Sequence, residues 1–133
     1  MRPHANTTFV LDASAVLAYL QQEPGMHAVH DALQGGSAIS TVNLAEVCAK
    51  LKGRGLAPRP IMERLKALGL EATAFTEEDA MLSGEMVSTT RPLGLALGDR
   101  ACLALCRRLS VTALTTEKVW AELNLGFEVR VIR

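Results

Sequence analysis

The sequence predicts a single α/β domain: a mainly parallel sheet with helices on both faces. Three observations predict it. Short β-rich runs alternate with helical runs from end to end, the pattern of strand–crossover–strand units. The last long helical run, residues 99–109, is nearly all apolar and should be buried. The chain of 133 residues, 49% of them hydrophobic, shows no internal repeat, low-complexity tract or linker, so residues 1–133 read as one domain with its own core. With one Trp, one Tyr and three Phe, that core must be filled by aliphatic side chains.

The elements follow in order. Thr8-Phe9-Val10-Leu11 is a β-rich run ending at Asp12, and residues 13–20 continue as a helix. Pro24 and Gly25 punctuate before a second helix over residues 26–33, and Gly35-Gly36 breaks the chain. Ser37-Ala38-Ile39-Ser40 is the second strand. A helix over residues 44–52 comes next, then a loop over 53–60 and a helix over 61–68. Residues 70–75 read as the third strand, and residues 77–88 as a helix opened by Thr76. A loop with Pro92, Gly94 and Gly98 leads into the buried helix. Residues 111–115 are the fourth strand, a short helix begins near Glu117, and residues 127–132 alternate as the fifth strand.

Composition excludes several function classes. Lys+Arg and Asp+Glu both number 14, so the net charge is zero and any nucleic-acid contact must be a local patch. No run of 18 or more apolar residues spans a membrane, and the N-terminus lacks an apolar signal segment. Three cysteines with no CxxC argue against a disulfide framework and fit a reducing cytoplasm.

Four of the acids occupy telling places. Asp12 ends the first strand, and Glu117 lies just past the fourth. Glu46 falls in the first turn of the helix after the second strand, and Asp99 opens the buried helix. In a parallel sheet the strand ends of one kind share one edge, where ligands bind at the switch point of the strand order. Four carboxylates meeting there raise each other's pKa unless a cation compensates. Hard oxygen donors select Mg²⁺ or Mn²⁺, ions that suit phosphodiester hydrolysis. A plainer reading stands beside this one. Acids favour helix N-termini, Asn43-Leu44-Ala45-Glu46 fits a capping box, and Asp12 and Asp99 can each be simple caps.

Four segments carry a family resemblance: Phe9-Val10-Leu11-Asp12-Ala13-Ser14-Ala15, Thr41-Val42-Asn43-Leu44-Ala45-Glu46-Val47, Leu95-Ala96-Leu97-Gly98-Asp99-Arg100-Ala101-Cys102 and Ala113-Leu114-Thr115-Thr116-Glu117-Lys118-Val119-Trp120. In order and separation they resemble the PIN domain, most closely the VapC toxins of bacterial toxin–antitoxin pairs. The resemblance implies a three-layer α/β/α sandwich with a five-stranded parallel sheet. It also implies an Mg²⁺- or Mn²⁺-dependent endoribonuclease. Asp12, Glu46, Asp99 and Glu117 would form the acidic quartet, with Asp12 and Asp99 as direct metal ligands. Ser14, Asn43 and Thr116 match small polar positions that support this centre. A small antitoxin partner and a homodimer built through helices of the first half are implied as well. One position departs: the family usually has Asp where this chain has Glu117, one methylene longer, which reaches a metal directly or through water.

Other features are open to two readings. Lys50, Lys52, Arg54, Arg59, Arg64 and Lys66 form a basic stretch interrupted by Glu63, either a phosphate-contact patch for RNA or a solvated face. Arg100 and Lys118 each follow an acid of the quartet and either contact a phosphate or offset local charge. Cys102 and Cys106 share a helical face and read as packing. His27 and His30 read as surface, and Trp120 as a core anchor. The GKS or GKT phosphate-loop signature is absent. A receiver domain would need an acceptor Asp after strand three, where Phe75-Thr76 stands. A haloacid-dehalogenase phosphatase would need DxD, where Asp12-Ala13-Ser14 stands. A PIN-fold RNA-processing nuclease with no toxin role, and a non-catalytic module that binds RNA or protein, are the remaining alternatives.

Overall fold

The computed structural model describes residues 7–133; residues 1–6, read from sequence as part of the domain and free of a signal segment, lie outside the described residues. The order is β1 (Phe9–Leu11), α1 (Ala13–Leu20), α2 (Met26–Gln34), β2 (Ser37–Ser40), α3 (Thr41–Gly53), α4 (Pro58–Leu68), β3 (Leu70–Thr73), α5 (Glu77–Glu85), α6 (Val87–Thr90), α7 (Leu97–Leu109), β4 (Thr112–Thr115) and β5 (Val129–Val131). Short 3-10 turns occupy Arg91–Leu93 and Lys118–Glu122. Among the described residues no helix is long and apolar enough to cross a membrane.

The sheet runs β3-β2-β1-β4-β5, and every pairing is parallel. The chain moves outward from β1 to β2 and β3, then crosses back to lay β4 against the other side of β1. The β1–β4 junction is therefore the switch point, and its carboxyl edge is the natural crevice.

Alternation along the strands divides the core in two. Leu11, Ile39 and Leu114 point to one face and pack with Val16, Val29, Leu33, Val47, Leu51 and Leu65 of α1–α4. Val10, Ala38 and Ala113 point to the other and meet Cys102, Leu103, Leu105 and Cys106 of α7, with Trp120 beside them. Val10 pairs with Ala38 on one side and Ala113 on the other, so α7 lies over a strip of small side chains. A buried ion pair fixes the other end of α7. Arg108 Nε lies 2.5 Å from Asp79 Oδ1, and Nη2 3.2 Å from Oδ2. Asp79 is fully buried and also completes a capping box with Thr76 at the start of α5.

Three helix starts differ from the sequence expectation. Helix α3 begins at Thr41, straight off β2, with Ser40 Oγ capping Val42 N at 3.3 Å. Asn43 is therefore inside the helix and is no cap, and Glu46 stands in the second turn instead of the first. Helix α4 starts at Pro58, because proline at the first helical position lacks only an N–H that had no partner there. Helix α7 starts at Leu97, so Asp99 lies within the first turn instead of opening it.

Candidate active site

Asp12 is the centre of the edge. It caps α1 and is 3% exposed. Its Oδ1 accepts from Ser14 Oγ at 2.7 Å and from Ala15 N at 2.8 Å, while Oδ2 accepts from Thr115 Oγ1 at 2.6 Å. The cap reading therefore holds, at the place on the sheet edge that the site reading requires. Burial pushes the carboxyl up from 3.8 to about 6; the hydrogen bonds from Thr115, Ala15 and Ser14 pull against that rise, and the charge of Asp99 adds to it.

A second layer of bonds ties this carboxylate to the end of β4. Ser14 Oγ accepts from Thr116 N at 3.0 Å, and Thr115 Oγ1 accepts from Glu117 N at 3.0 Å. Sequence reasoning named Thr116 as the supporting side chain; it is the Thr115 hydroxyl that holds Asp12, and Thr116 contributes its backbone N–H. The register of β1 against β4 explains it. Leu11 pairs with Leu114, which sets residue 12 beside residue 115.

Asp99 is half-buried, and its Oδ2 accepts from Ala96 N at 2.8 Å, closing the first turn of α7. Glu46 is exposed, and its Oε1 accepts from Asn43 Nδ2 at 2.8 Å. Asn43 is 1% exposed and also donates to Gly98 O at 2.9 Å, which joins α3 to α7. Its Oδ1 is buried without a partner. Glu117 is exposed, and what it contributes to the network is its backbone N–H. The structure thus gathers Asp12, Asp99 and Glu46 toward one edge, with Glu117 at its rim. Among the described residues no three acidic, histidine or cysteine side chains stand close enough to form a ready-made ion-binding group.

The oxygen donors at the edge are of the type that a hard divalent cation takes, though as they stand they form no ion-binding group. An ionised carboxylate offers about four lone-pair directions, and three at Asp12 are taken. One remains, along with the Oδ1 of Asp99 and the Oε2 of Glu46. A few protein oxygens completed by water is the arrangement that Mg²⁺ and Mn²⁺ prefer.

The basic residues divide by position. Lys50 lies four residues after Glu46 on the same face of α3, about 6 Å along the axis. Lys52 and Arg54 lie farther along, as the helix runs away from the edge, and all three are exposed. Arg59, Arg64 and Lys66 are exposed on α4. Lys118 is exposed at the rim. Arg100 folds back, with Nη1 donating to Leu95 O at 3.2 Å and Nε buried without a partner. Cys102 and Cys106 are fully buried, and the hydrogen bond that the Cys102 thiol makes to Cys106, together with burial, holds that thiol well above its ordinary value, so they pack as expected. His30 stacks on Tyr19, with Nδ1 3.2 Å from the phenol oxygen. Trp120 is buried in the core.

The sequence model of the PIN domain family matches residues 9–124. Comparison with curated proteins finds no match. Among solved structures, the chain is similar to DNA-bound VapBC from Salmonella typhimurium (TM-score 0.69, 14% identity, covering 93% of this chain and 97% of that one). It is similar also to a toxin–antitoxin complex from Klebsiella pneumoniae (0.67, 19%, 91% and 99%) and to FitAcB from Neisseria gonorrhoeae (0.64, 20%, 92% and 96%).

Proposed function

This chain belongs to the PIN domain family of nucleases, and on that premise we propose that it is an Mg²⁺- or Mn²⁺-dependent endoribonuclease, the toxin of a toxin–antitoxin pair. One observation carries the reading: a buried Asp12 at the switch point, held by three donors, shares its edge with Asp99 and Glu46. Burial of a carboxylate without a cation partner is costly, and the raised pKa of Asp12 is the sign of that cost.

Asp12, Asp99 and Glu46 would hold the cation, with Glu117 reaching it through water. When bound, the ion supplies a water activated at neutral pH and positive charge for the phosphate in flight. The chain's own residues do the rest. Ser14, Ala15 and Thr115 fix the direction of the Asp12 oxygens, so little reorganisation accompanies reaction. Glu117, exposed at the rim, would receive a proton from the attacking water. Lys118 and Lys50, both exposed, would meet phosphates as contacts that position the strand without reading its bases.

The toxin role rests on the similar structures, which are of complexes described as VapBC, FitAcB and a toxin–antitoxin complex. A small antitoxin and a second copy of this chain are the partners in this proposal, in the cytoplasm. The reading of a non-catalytic binding module draws on one observation, the exposed Glu117 at the rim, where the family usually has aspartate.

The test is cleavage of several RNA substrates in Mn²⁺ or Mg²⁺ by the wild type, Asp12→Asn and Asp99→Asn. Wild-type cleavage that EDTA stops, absent from both variants, is expected. Full activity in either variant would sink the site assignment. No cleavage and no Mn²⁺ binding by the wild type would leave the binding module. Strong expression of the chain alone should arrest growth; unaffected growth would refute the toxin role.

A further inference from the structure

The Glu46 carboxylate rests against Gly98, and the contact depends on a missing side chain. A methyl group added at Gly98 would stand 2.9 Å from both Cδ and Oε1 of Glu46, and closer still to Oε2. Real Cβ atoms essentially never approach that closely. Gly98 is absent from the glycines of positive φ, so its backbone does not call for glycine. It is the second residue of α7, where glycine has no helix-forming advantage over residues that carry a side chain. Two other helical glycines, Gly53 and Gly84, face open space. Gly98 alone of these three has a carboxylate lying where its side chain would be.

The same residue supplies a second contact. Its carbonyl accepts from Asn43 Nδ2, and that amide also donates to Glu46 Oε1. Asn43 is buried, so both of its amide protons are committed to this junction. The Glu46 carboxylate is thus held from one side by the amide and received on the other by bare backbone. Without the seat, an exposed glutamate on the second turn of α3 has many rotamers to choose from, most of them pointing to water.

We propose that Gly98 is a positioning residue for Glu46: its absent side chain forms a seat on α7 into which Asn43 turns the carboxylate, toward the edge shared by Asp12 and Asp99. The proposal rests on the reading of Glu46 as a carboxylate of the nuclease site. It assigns the glycine before Asp99 a task separate from any turn or cap. It also makes the α3–α7 spacing a determinant of where the third carboxylate points.

Gly98→Ala is the direct test, with Gly84→Ala as the control for placing alanine in a helix. Two readouts are independent of catalysis. The first is the Asn43 side-chain amide in the NMR spectrum. It should shift in Gly98→Ala and in Glu46→Gln, and stay in place in Gly84→Ala. The second is a thermal-denaturation cycle. If the Glu46 carboxylate is the obstacle, adding alanine at 98 to Glu46→Ala should cost nothing, whatever it costs in the wild type. Mn²⁺ affinity by calorimetry is the functional arm. It should fall about tenfold in Gly98→Ala, equivalent to about 1.4 kcal/mol, and fall no further when Glu46→Gln is added. An unmoved Asn43 signal in folded Gly98→Ala, or an equal loss of Tm with and without the Glu46 side chain, overturns the seat. Wild-type Mn²⁺ affinity in Glu46→Gln would instead overturn the nuclease role of Glu46 and leave the seat to the NMR and thermal arms.

Discussion

Asp12→Asn is expected to stabilise the protein at pH 7.5 and to lose that advantage at pH 4. The Asp12 carboxyl is raised from 3.8 to about 6, with burial as the leading cause. The folded chain therefore keeps this proton through a range where the unfolded chain has released it. Between those two values the native state binds more protons, so stability falls as pH rises, and above about pH 6 the whole penalty is in force. At about 1.4 kcal/mol per pH unit the penalty is about 3 kcal/mol. Asparagine does not ionise and carries none of it. Its oxygen can still accept from Ser14 and Ala15, but its amide meets Thr115 Oγ1, which donates to Asp12 in the native protein. That hydroxyl must turn to accept while still serving Glu117 N, a loss of about 1 kcal/mol. The net gain at pH 7.5 is then roughly 1 to 2 kcal/mol, or roughly 3 to 8 °C in Tm for a chain of this size. Urea unfolding in EDTA at the two pH values measures it. A difference that is the same at both, or a variant less stable by more than about 1 kcal/mol at pH 7.5, would refute the reasoning.

Other outcomes follow from the same contacts. Thr115→Val removes a donor to Asp12 and the acceptor for Glu117 N; it should cost about 1 to 2 kcal/mol in denaturant unfolding and move the acid limb of metal-dependent cleavage to higher pH. Asp99→Asn should let the Asp12 carboxyl titrate lower, since Asp99 charge contributes to its rise; an NMR titration that finds it unmoved would show that the two do not sense each other. Asp79→Asn leaves Arg108 without its counter-charge and should cost about 3 kcal/mol, read as a lower denaturant midpoint at unchanged m. Gly69→Ala places a methyl group on the Leu33 carbonyl oxygen at φ 119°, and a loss of about 3 kcal/mol or more is expected in thermal unfolding.

The alternation of strands and helices was readable because Pro24, Gly25 and Gly35-Gly36 bound compact apolar runs. The start of α3 was not. Asn43 and Glu46 have capping-box spacing, yet Ser40 had already capped the helix, because the chain turns from β2 into α3 without a loop. Freed from capping, the Asn43 amide reaches Gly98, 55 residues away, a contact that spacing along one helix cannot reveal. The places of Asp12 and Asp99 were legible because strand ends and helix starts are local features. Thr115 was missed because its partner lies on another strand. The ion pair of Arg108 with Asp79 was missed for the same reason, since the two residues are joined only when α5 lies beside α7. The fold class, read as mainly parallel, is parallel throughout.

The bond from Thr115 to Asp12 spans 103 residues of chain, and that from Thr116 to Ser14 spans 102. During synthesis the first carboxylate leaves the ribosome long before the threonine that will hold it. A growing chain that has reached residue 100 has all of α1 to α5 but no β4 to complete the edge. A nuclease built this way is born inert. The carboxylate edge is therefore among the last parts of the domain to be completed as the chain emerges.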